Sequence, residues 1–131
     1  PYDTLEEVIG ISGERGNGSL ADFGVGYRQI ELNSDGTLDF EAIGSLLRYE
    51  KDKNKPVKVI FVQRSKGYLN RRTLTVEEIG KLAGFVKSIS PETYVVVDNC
   101  YGEFTEKCEP SALDADMVIG SLIKNPGVGM A

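Results

Sequence analysis

In the stretch TYVVVDN, residues 93–99, three consecutive valines lead directly into an acidic and an amide side chain. VKVIFV, residues 57–62, is a similar apolar run earlier in the chain, and ADMVIGS, residues 115–121, is a third. Short runs rich in β-branched residues are typical of strands that are buried in a parallel sheet. The sequence therefore predicts three strands of one sheet.

Helical patterns separate these predicted strands. Apolar residues recur at helical spacing, and the predicted helices lie within residues 1–12, 38–50 and 74–90. The last of them ends before Pro91, which cannot continue a helix. Strands that alternate with helices predict an α/β fold of three layers, with a mostly parallel sheet covered by helices on both faces.

Local signals fix where two of the helices begin. Asp39 is placed to cap the helix in residues 38–50. Thr75 and Glu78 have the spacing of a capping box, which predicts the start of the next helix. A further segment, YRQIEL at residues 27–32, alternates apolar and polar side chains and predicts a fourth strand.

Composition and charge narrow the class of protein. The chain has 131 residues, of which 40% are hydrophobic and 27% charged, and this is enough for one core. The net charge of −5 argues against nucleic acid or an anionic membrane as partner. No apolar run approaches the roughly 20 residues of a membrane helix, and the first residues do not resemble a signal peptide. We therefore expect a cytoplasmic protein.

The chain has no histidine and only two cysteines. Its residues therefore offer no Ser–His or Cys–His catalytic pair and no histidine-built zinc site. The spacing of Cys100 and Cys108 matches no metal-binding pattern, so reduced thiols are the simplest interpretation. A nucleophilic Cys100 is the weaker alternative because no histidine can activate it. We predict no metal site.

Polar side chains follow each of the three predicted strands. These clusters are QRSKGY at residues 63–68, DNCYGEF at residues 98–104 and SLIKNPG at residues 121–127. Ligands of parallel α/β sheets bind outside the carboxyl ends of the strands, so this edge is the predicted site. In the first cluster, Arg64 and Lys66 form either an anion-binding site or a solvated basic loop.

Asp98 and Lys124 are the residues that carry chemistry. Asp98 either caps the loop that follows its strand or stabilises a cationic group of a ligand or, as the weaker version, a metal ion. Lys124 either extends into solvent or, beside the apolar side chains before it, provides a nucleophilic amine. Ser121 either binds an anion or satisfies nearby backbone. A lysine and an acid at neighbouring strand ends suggest pyridoxal 5′-phosphate (PLP), whose aldehyde needs an amine and whose ring nitrogen needs an acidic partner.

These motifs resemble a known family. DNCYGEF, ADMVIGSLIKNPG and QRSKGY are similar to segments of the methionine γ-lyase and cystathionine β-lyase-like proteins, often called aluminium-resistance proteins, and the resemblance covers nearly the whole chain. Members are fold-type I PLP enzymes. The resemblance implies a carbon–sulfur lyase that acts on a sulfur-containing amino acid by β- or γ-elimination through a lysine Schiff base.

The resemblance also implies roles for individual residues. Lys124 is similar to the lysine that binds PLP and then moves protons at the substrate Cα. Asp98 matches the acid that keeps the pyridine nitrogen protonated. Tyr101 matches a tyrosine near the phenolic oxygen of the cofactor, and with Lys124 it is a predicted catalytic residue. Ser121 matches a serine that contacts the phosphate, and Tyr2 matches a tyrosine that stacks on the cofactor.

Two positions depart from the pattern of the family. Ile123 stands directly before the lysine, where many fold-type I lyases have a hydroxyl residue, so one phosphate donor is missing. Val128 stands where a further glycine is expected, and its β-branched side chain restricts the backbone.

The resemblance further implies that residues 1–131 are a partial PLP-binding large domain. The upstream glycine-rich segment, the C-terminal small domain and the arginine that binds the substrate carboxylate are expected outside it. The chain alone is expected to be inactive, and the full-length protein to be a homodimer or homotetramer with a small amino-acid substrate. The alternatives are another PLP enzyme, such as an aminotransferase or racemase, and a non-catalytic module for binding or metal stress.

Overall fold

A computed structural model describes residues 3–12, 15–67 and 70–125. The chain forms two compact units, residues 1–30 and residues 31–131. None of the described helices is both long and apolar enough to cross a membrane.

The first unit is small and helical. It contains helix α1 (Asp3–Ile9), within the segment predicted to be helical, and a 3₁₀ turn (Leu20–Phe23). The carboxylate of Asp22 accepts hydrogen bonds from the backbone N–H groups of Gly16 and Gly18, at 3.0 Å each, and holds the loop before that turn together.

The second unit contains the sheet and its two long helices. The elements are, in chain order, α2 (Phe40–Asp52), β1 (Val59–Gln63), α3 (Val76–Ile89), β2 (Tyr94–Asp98) and β3 (Met117–Ile119), with a 3₁₀ turn (Pro110–Leu113) before β3. The three strands are parallel in the order β1-β2-β3. The predicted α/β class and the predicted parallel sheet are therefore confirmed.

The two faces of the sheet have different environments. On one face Val95 and Val97 of β2 are fully buried, and the buried apolar residues of α2 and α3, including Leu47 and Ile79, complete the core. On the other face Phe61, Tyr94 and other apolar side chains are about half exposed. Among the described residues, the helices thus cover one face of the sheet.

Capping explains where both long helices begin. The carboxylate of Asp39 accepts a 2.8 Å hydrogen bond from the N–H of Ala42 at the start of α2. Thr75 and Glu78 form the reciprocal capping box of α3, in which each side chain accepts from the backbone N–H of the other. Both predicted helix starts are confirmed.

The prediction of a strand over residues 27–32 is wrong, because this segment has no regular secondary structure. Its contacts are partly local: the hydroxyl of Tyr27 donates a 2.8 Å hydrogen bond to Gln29, and Arg28 donates to the carbonyl of Tyr27. Alternation indicates which side chains share a face, but a strand also needs a neighbour with which to form a ladder. This segment spans the boundary between the two units.

Candidate active site

Three loops meet at the carboxyl edge of the sheet. The N–H of Arg64, directly after β1, donates a 3.0 Å hydrogen bond to the carbonyl of Asp98 at the end of β2. The N–H of Asn99 donates a 2.7 Å hydrogen bond to the carbonyl of Ile119 at the end of β3. Because the ladder continues past the strand ends, the three predicted polar clusters lie side by side.

Asp98 and Cys100 interact closely. The Oδ1 atom of Asp98 accepts a 3.0 Å hydrogen bond from the N–H of Cys100. Burial, then the hydrogen bond and the negative charge of Asp98, raise the pKa of the Cys100 thiol, and the charge of Lys124 opposes this rise. The thiol therefore stays protonated near neutral pH and is a poor nucleophile.

Lys124 lies against the ring of Tyr101. Its Nζ atom is 5.0 Å from the centre of that ring, within the range of a cation–π interaction. Among the residues that the structure describes, no carboxylate forms an ion pair with this amine. The structure thus brings together the two predicted catalytic residues, and no acid in the described part of the chain is bound to the lysine.

Tyr101 has an unusual backbone conformation. Its φ is +70°, in the left-handed region that non-glycine residues seldom adopt, and its ring is more than half exposed. Residues in this region persist only where their surroundings hold them. The side chain of Asn125 provides part of that support, because its Nδ2 atom donates a 2.9 Å hydrogen bond to the carbonyl of Tyr101.

Ser121 begins the turn that carries Lys124. Its carbonyl accepts hydrogen bonds from the N–H groups of Lys124, at 2.9 Å, and Asn125, at 3.2 Å. This turn folds the lysine back toward the loop after β2. The contact of the Ser121 hydroxyl with a phosphate stays a prediction.

The structure contradicts both interpretations of Arg64, which is not available to bind the anion of a ligand and does not lie in a solvated loop. Its side chain is 2% exposed, and all five N–H groups are accounted for by protein acceptors. The acceptors are the carbonyls of Leu74 and Gly102 and the side chains of Asn99, Thr105 and Glu106. Arg64 therefore organises the loop after β2. Lys66, by contrast, is exposed.

Gly102 allows this network to form. A Cβ atom at Gly102 would lie 2.3 Å from Nη1 of Arg64 and 2.6 Å from Oδ1 of Asn99. Such distances are shorter than atoms tolerate, so only glycine fits between the two buried side chains. The glycine in DNCYGEF is thus explained by close packing.

Glu103 and Asn125 are residues of the site that the sequence did not indicate. The carboxylate of Glu103 accepts a hydrogen bond from the N–H of Ser121, and this side chain is only 7% exposed. A glutamate inside a polar loop is usually a surface residue, so no pattern in the sequence pointed to its burial. A possible signal was Gly120, where a Cβ would lie 2.8 Å from Oε1 of Glu103.

Two predictions concern residues outside the described part of the chain. Tyr2, predicted to stack on a cofactor, and Val128, where the pattern expects glycine, both lie in segments that the structure does not describe. Within the described ranges there is no cluster of three or more acidic or cysteine side chains that could hold a metal ion.

Comparison with known proteins identifies the relatives of this chain. The family model described as methionine gamma-lyase matches residues 1–131. A carbon–sulfur lyase involved in aluminum resistance from Clostridium novyi NT is 41% identical, with a TM-score of 0.88 over 99% of this chain and 29% of that one. A Listeria monocytogenes protein whose name includes involvement in aluminum resistance is 49% identical, with a TM-score of 0.86 over 100% of this chain and 31% of that one.

Curated relatives show the same partial coverage. The uncharacterized protein YnbB of Bacillus subtilis is 48% identical over all 131 residues, which are 30% of its length. An uncharacterized 33.9 kDa protein of Lactobacillus delbrueckii subsp. bulgaricus is 42% identical over 131 residues, or 41% of its length. The chain thus spans less than half the length of the curated relatives it matches.

Proposed function

Because the chain belongs to the methionine gamma-lyase family, we propose that its full-length protein is a PLP-dependent carbon–sulfur lyase. Its substrate is a small sulfur-containing amino acid, and Lys124 is the residue that binds the cofactor. The described residues are then part of the large domain that holds PLP. The named relatives support the lyase class, since one of them is called a carbon–sulfur lyase.

One observation carries this proposal. Asp98 ends β2 and begins the loop that carries Tyr101, and the amine of Lys124 lies 5.0 Å from the ring of that tyrosine, so both groups lie at the same edge of the sheet. An amine and a carboxylate are the two groups that PLP requires, at its aldehyde and at its ring nitrogen. The amine has no acidic partner among the described residues, and a phenol ring lies beside it. The chemistry of these side chains fits the cofactor.

The residues have distinct tasks in the proposed reaction. PLP, when bound, supplies an electron sink that makes the substrate Cα proton acidic. Lys124 would hold the cofactor through Nζ, and the same amine would accept the proton from Cα of the substrate. The carboxylate of Asp98 raises the pKa of the ring nitrogen and so keeps that nitrogen protonated. The ring of Tyr101 limits where the amine of Lys124 can move.

The substrate carboxylate needs a partner other than Arg64. All N–H groups of Arg64 are bound by the protein, so a substrate could reach them only by breaking the network around Asn99 and Gly102. Within the family proposal, a residue outside this chain performs that task.

Cofactor binding by the full-length protein tests the proposal. We expect the wild-type protein, incubated with PLP, to acquire the visible absorbance of lysine-bound cofactor, and Lys124→Ala to lack it. Lys66→Ala removes an exposed lysine from the first cluster and should behave as wild type. A Lys124→Ala protein that keeps the absorbance would contradict the assignment.

Product analysis separates the lyase from its alternatives. Elimination from methionine or cystathionine breaks the carbon–sulfur bond and releases a thiol, ammonia and a 2-oxoacid. Transfer of the amino group to an added 2-oxoacid, without release of thiol, would indicate an aminotransferase. Inversion at Cα alone would indicate a racemase, and no binding of PLP would favour a non-catalytic module.

A further inference from the structure

Glu103 is an unexpected buried acid. Its side chain is 7% exposed, although glutamate is almost never buried without a partner. Its Oε1 atom accepts a hydrogen bond from the N–H of Ser121, and its Oε2 atom has no partner in the described part of the chain. The side chain thus makes one protein hydrogen bond there, and this bond reaches the turn that carries Lys124.

The backbone at position 120 leaves room for the contact between Glu103 and Ser121. A side chain at position 120 would place its Cβ 2.8 Å from Oε1 and 3.2 Å from Cγ of Glu103, so Gly120 lets the carboxylate approach. Asn125 makes a second connection between the same segments, because its Nδ2 donates to the carbonyl of Tyr101 at 2.9 Å. The Lys124 turn is therefore attached at both ends to the loop after β2.

We propose that Glu103 is a positioning residue that holds the Lys124 turn against the loop after β2 and so places Nζ of Lys124 over the ring of Tyr101. The inference rests on the proposed function, in which Lys124 is the reactive amine. The carboxylate acts only through the N–H of Ser121, three residues before the lysine. Without this acceptor the first amide of the turn loses its partner, and the turn opens more often.

Substitutions at position 103 separate positioning from simple support of the fold. Glu103→Gln keeps an oxygen that can accept from Ser121, and it replaces the oxygen that has no partner among the described residues. Glu103→Ala removes the acceptor. Glu103→Asp shortens the side chain by one methylene, and it replaces the alanine variant if that protein does not fold. Glu92→Ala removes an exposed acid and is the control.

Two measurements on the full-length protein form the test. The first is hydrogen–deuterium exchange of the cofactor-free protein, followed in peptides that cover residues 119–125 and α2. The second is the rate at which added PLP becomes attached. For Glu103→Ala we expect exchange at residues 121–125 to rise, and PLP attachment to slow, by roughly tenfold or more, with α2 unchanged. Glu103→Gln and Glu92→Ala should stay within about twofold of wild type.

Three results would overturn the proposal. The first is unchanged exchange at residues 121–125 in Glu103→Ala. The second is an equal rise of exchange in α2, which would indicate general destabilisation. The third is a Glu103→Gln variant that behaves like Glu103→Ala. A wild-type protein that takes up no PLP would contradict the proposed function instead. The exchange measurement would still decide whether Glu103 holds the turn, so the two failures are distinguishable.

Discussion

The guanidinium of Arg64 donates a 2.7 Å hydrogen bond from Nη1 to Oδ1 of Asn99, and both residues are at most 2% exposed. Asn99 directly follows Asp98, and it also donates a 2.8 Å hydrogen bond to Glu109. A buried polar network thus holds the loop that begins at Asp98. This network fixes the loop that carries Tyr101.

Arg64→Lys should destabilise the protein. Lysine has three donors on a flexible stem, so it cannot satisfy the five acceptors that now surround the guanidinium. We expect the free energy of unfolding of the full-length protein to fall by about 2–4 kcal/mol, measured by chemical denaturation. Lys66→Ala, at an exposed position two residues away, should change it by less than about 0.5 kcal/mol. Unchanged stability with a higher KM would show instead that Arg64 binds substrate.

Gly102→Ala tests the close packing of this network. The new Cβ would lie 2.3 Å from Nη1 of Arg64, so we expect a loss of about 1–3 kcal/mol in the free energy of unfolding. Gly84→Ala is the matched control, because it lies in α3 with open space around its Cβ. That substitution should stabilise the protein by about 0.5–1 kcal/mol. Equal effects of the two would refute the packing argument.

Asp98→Asn should impair the reaction while leaving the fold intact. The amide oxygen can still accept from the N–H of Cys100, but the negative charge that favours a protonated ring nitrogen is lost. We expect kcat to fall by about tenfold for each unit by which the pKa of the ring nitrogen falls. Asp114→Asn removes an exposed carboxylate at a left-handed position that asparagine tolerates, and kcat should not change. Equal kcat values for Asp98→Asn and wild type would contradict the role of Asp98.

Glu78, which pairs with Arg72 and belongs to the capping box of α3, should make stability depend on pH. The hydrogen bond from Arg72, and also the one from the backbone of Thr75, lower the pKa of the Glu78 carboxyl, against the opposing effect of burial. Because the folded-state pKa is lower than the unfolded one, this stabilisation is complete above about pH 4.5 and is lost as the pH falls through the folded-state value. Glu78→Gln should therefore lower Tm relative to wild type at pH 7, and by less at about pH 3.

The neighbouring acid provides the control for this pH dependence. Glu77 pairs with Lys81 on the exposed side of α3, at 2.8 Å. Exposed pairs of this kind contribute little, so Glu77→Gln should leave Tm nearly unchanged at both pH values. If the two variants respond equally to pH, the effect does not come from the capping box.

The sequence predicted the elements whose signals are local. The valine run before Asp98 predicted a buried strand, and the spacing of Thr75 and Glu78 predicted the start of α3. The alternation in residues 27–32 predicted a strand that does not form, since strand formation depends on a neighbour and not on the pattern alone. This segment lies at the boundary between the two units.

The site was predictable in part, for the same physical reason. Parallel strands bring their carboxyl ends to one edge, so Asp98, Tyr101 and Lys124 could be expected there. The buried roles of Arg64 and Glu103 could not, because they depend on contacts between residues that are distant in the sequence. Charged residues in polar loops are usually exposed, so the sequence favours the wrong environment for both.

The central claim is that Lys124 binds the cofactor, and chemical labelling tests it most directly. Full-length protein is incubated with PLP, reduced with borohydride, digested and analysed by mass spectrometry, with Lys124→Arg as the matched variant. We expect the reduced cofactor to be attached to Lys124 in the wild type and to no peptide in the variant. Attachment to a different lysine, or no attachment in the wild type, would contradict it.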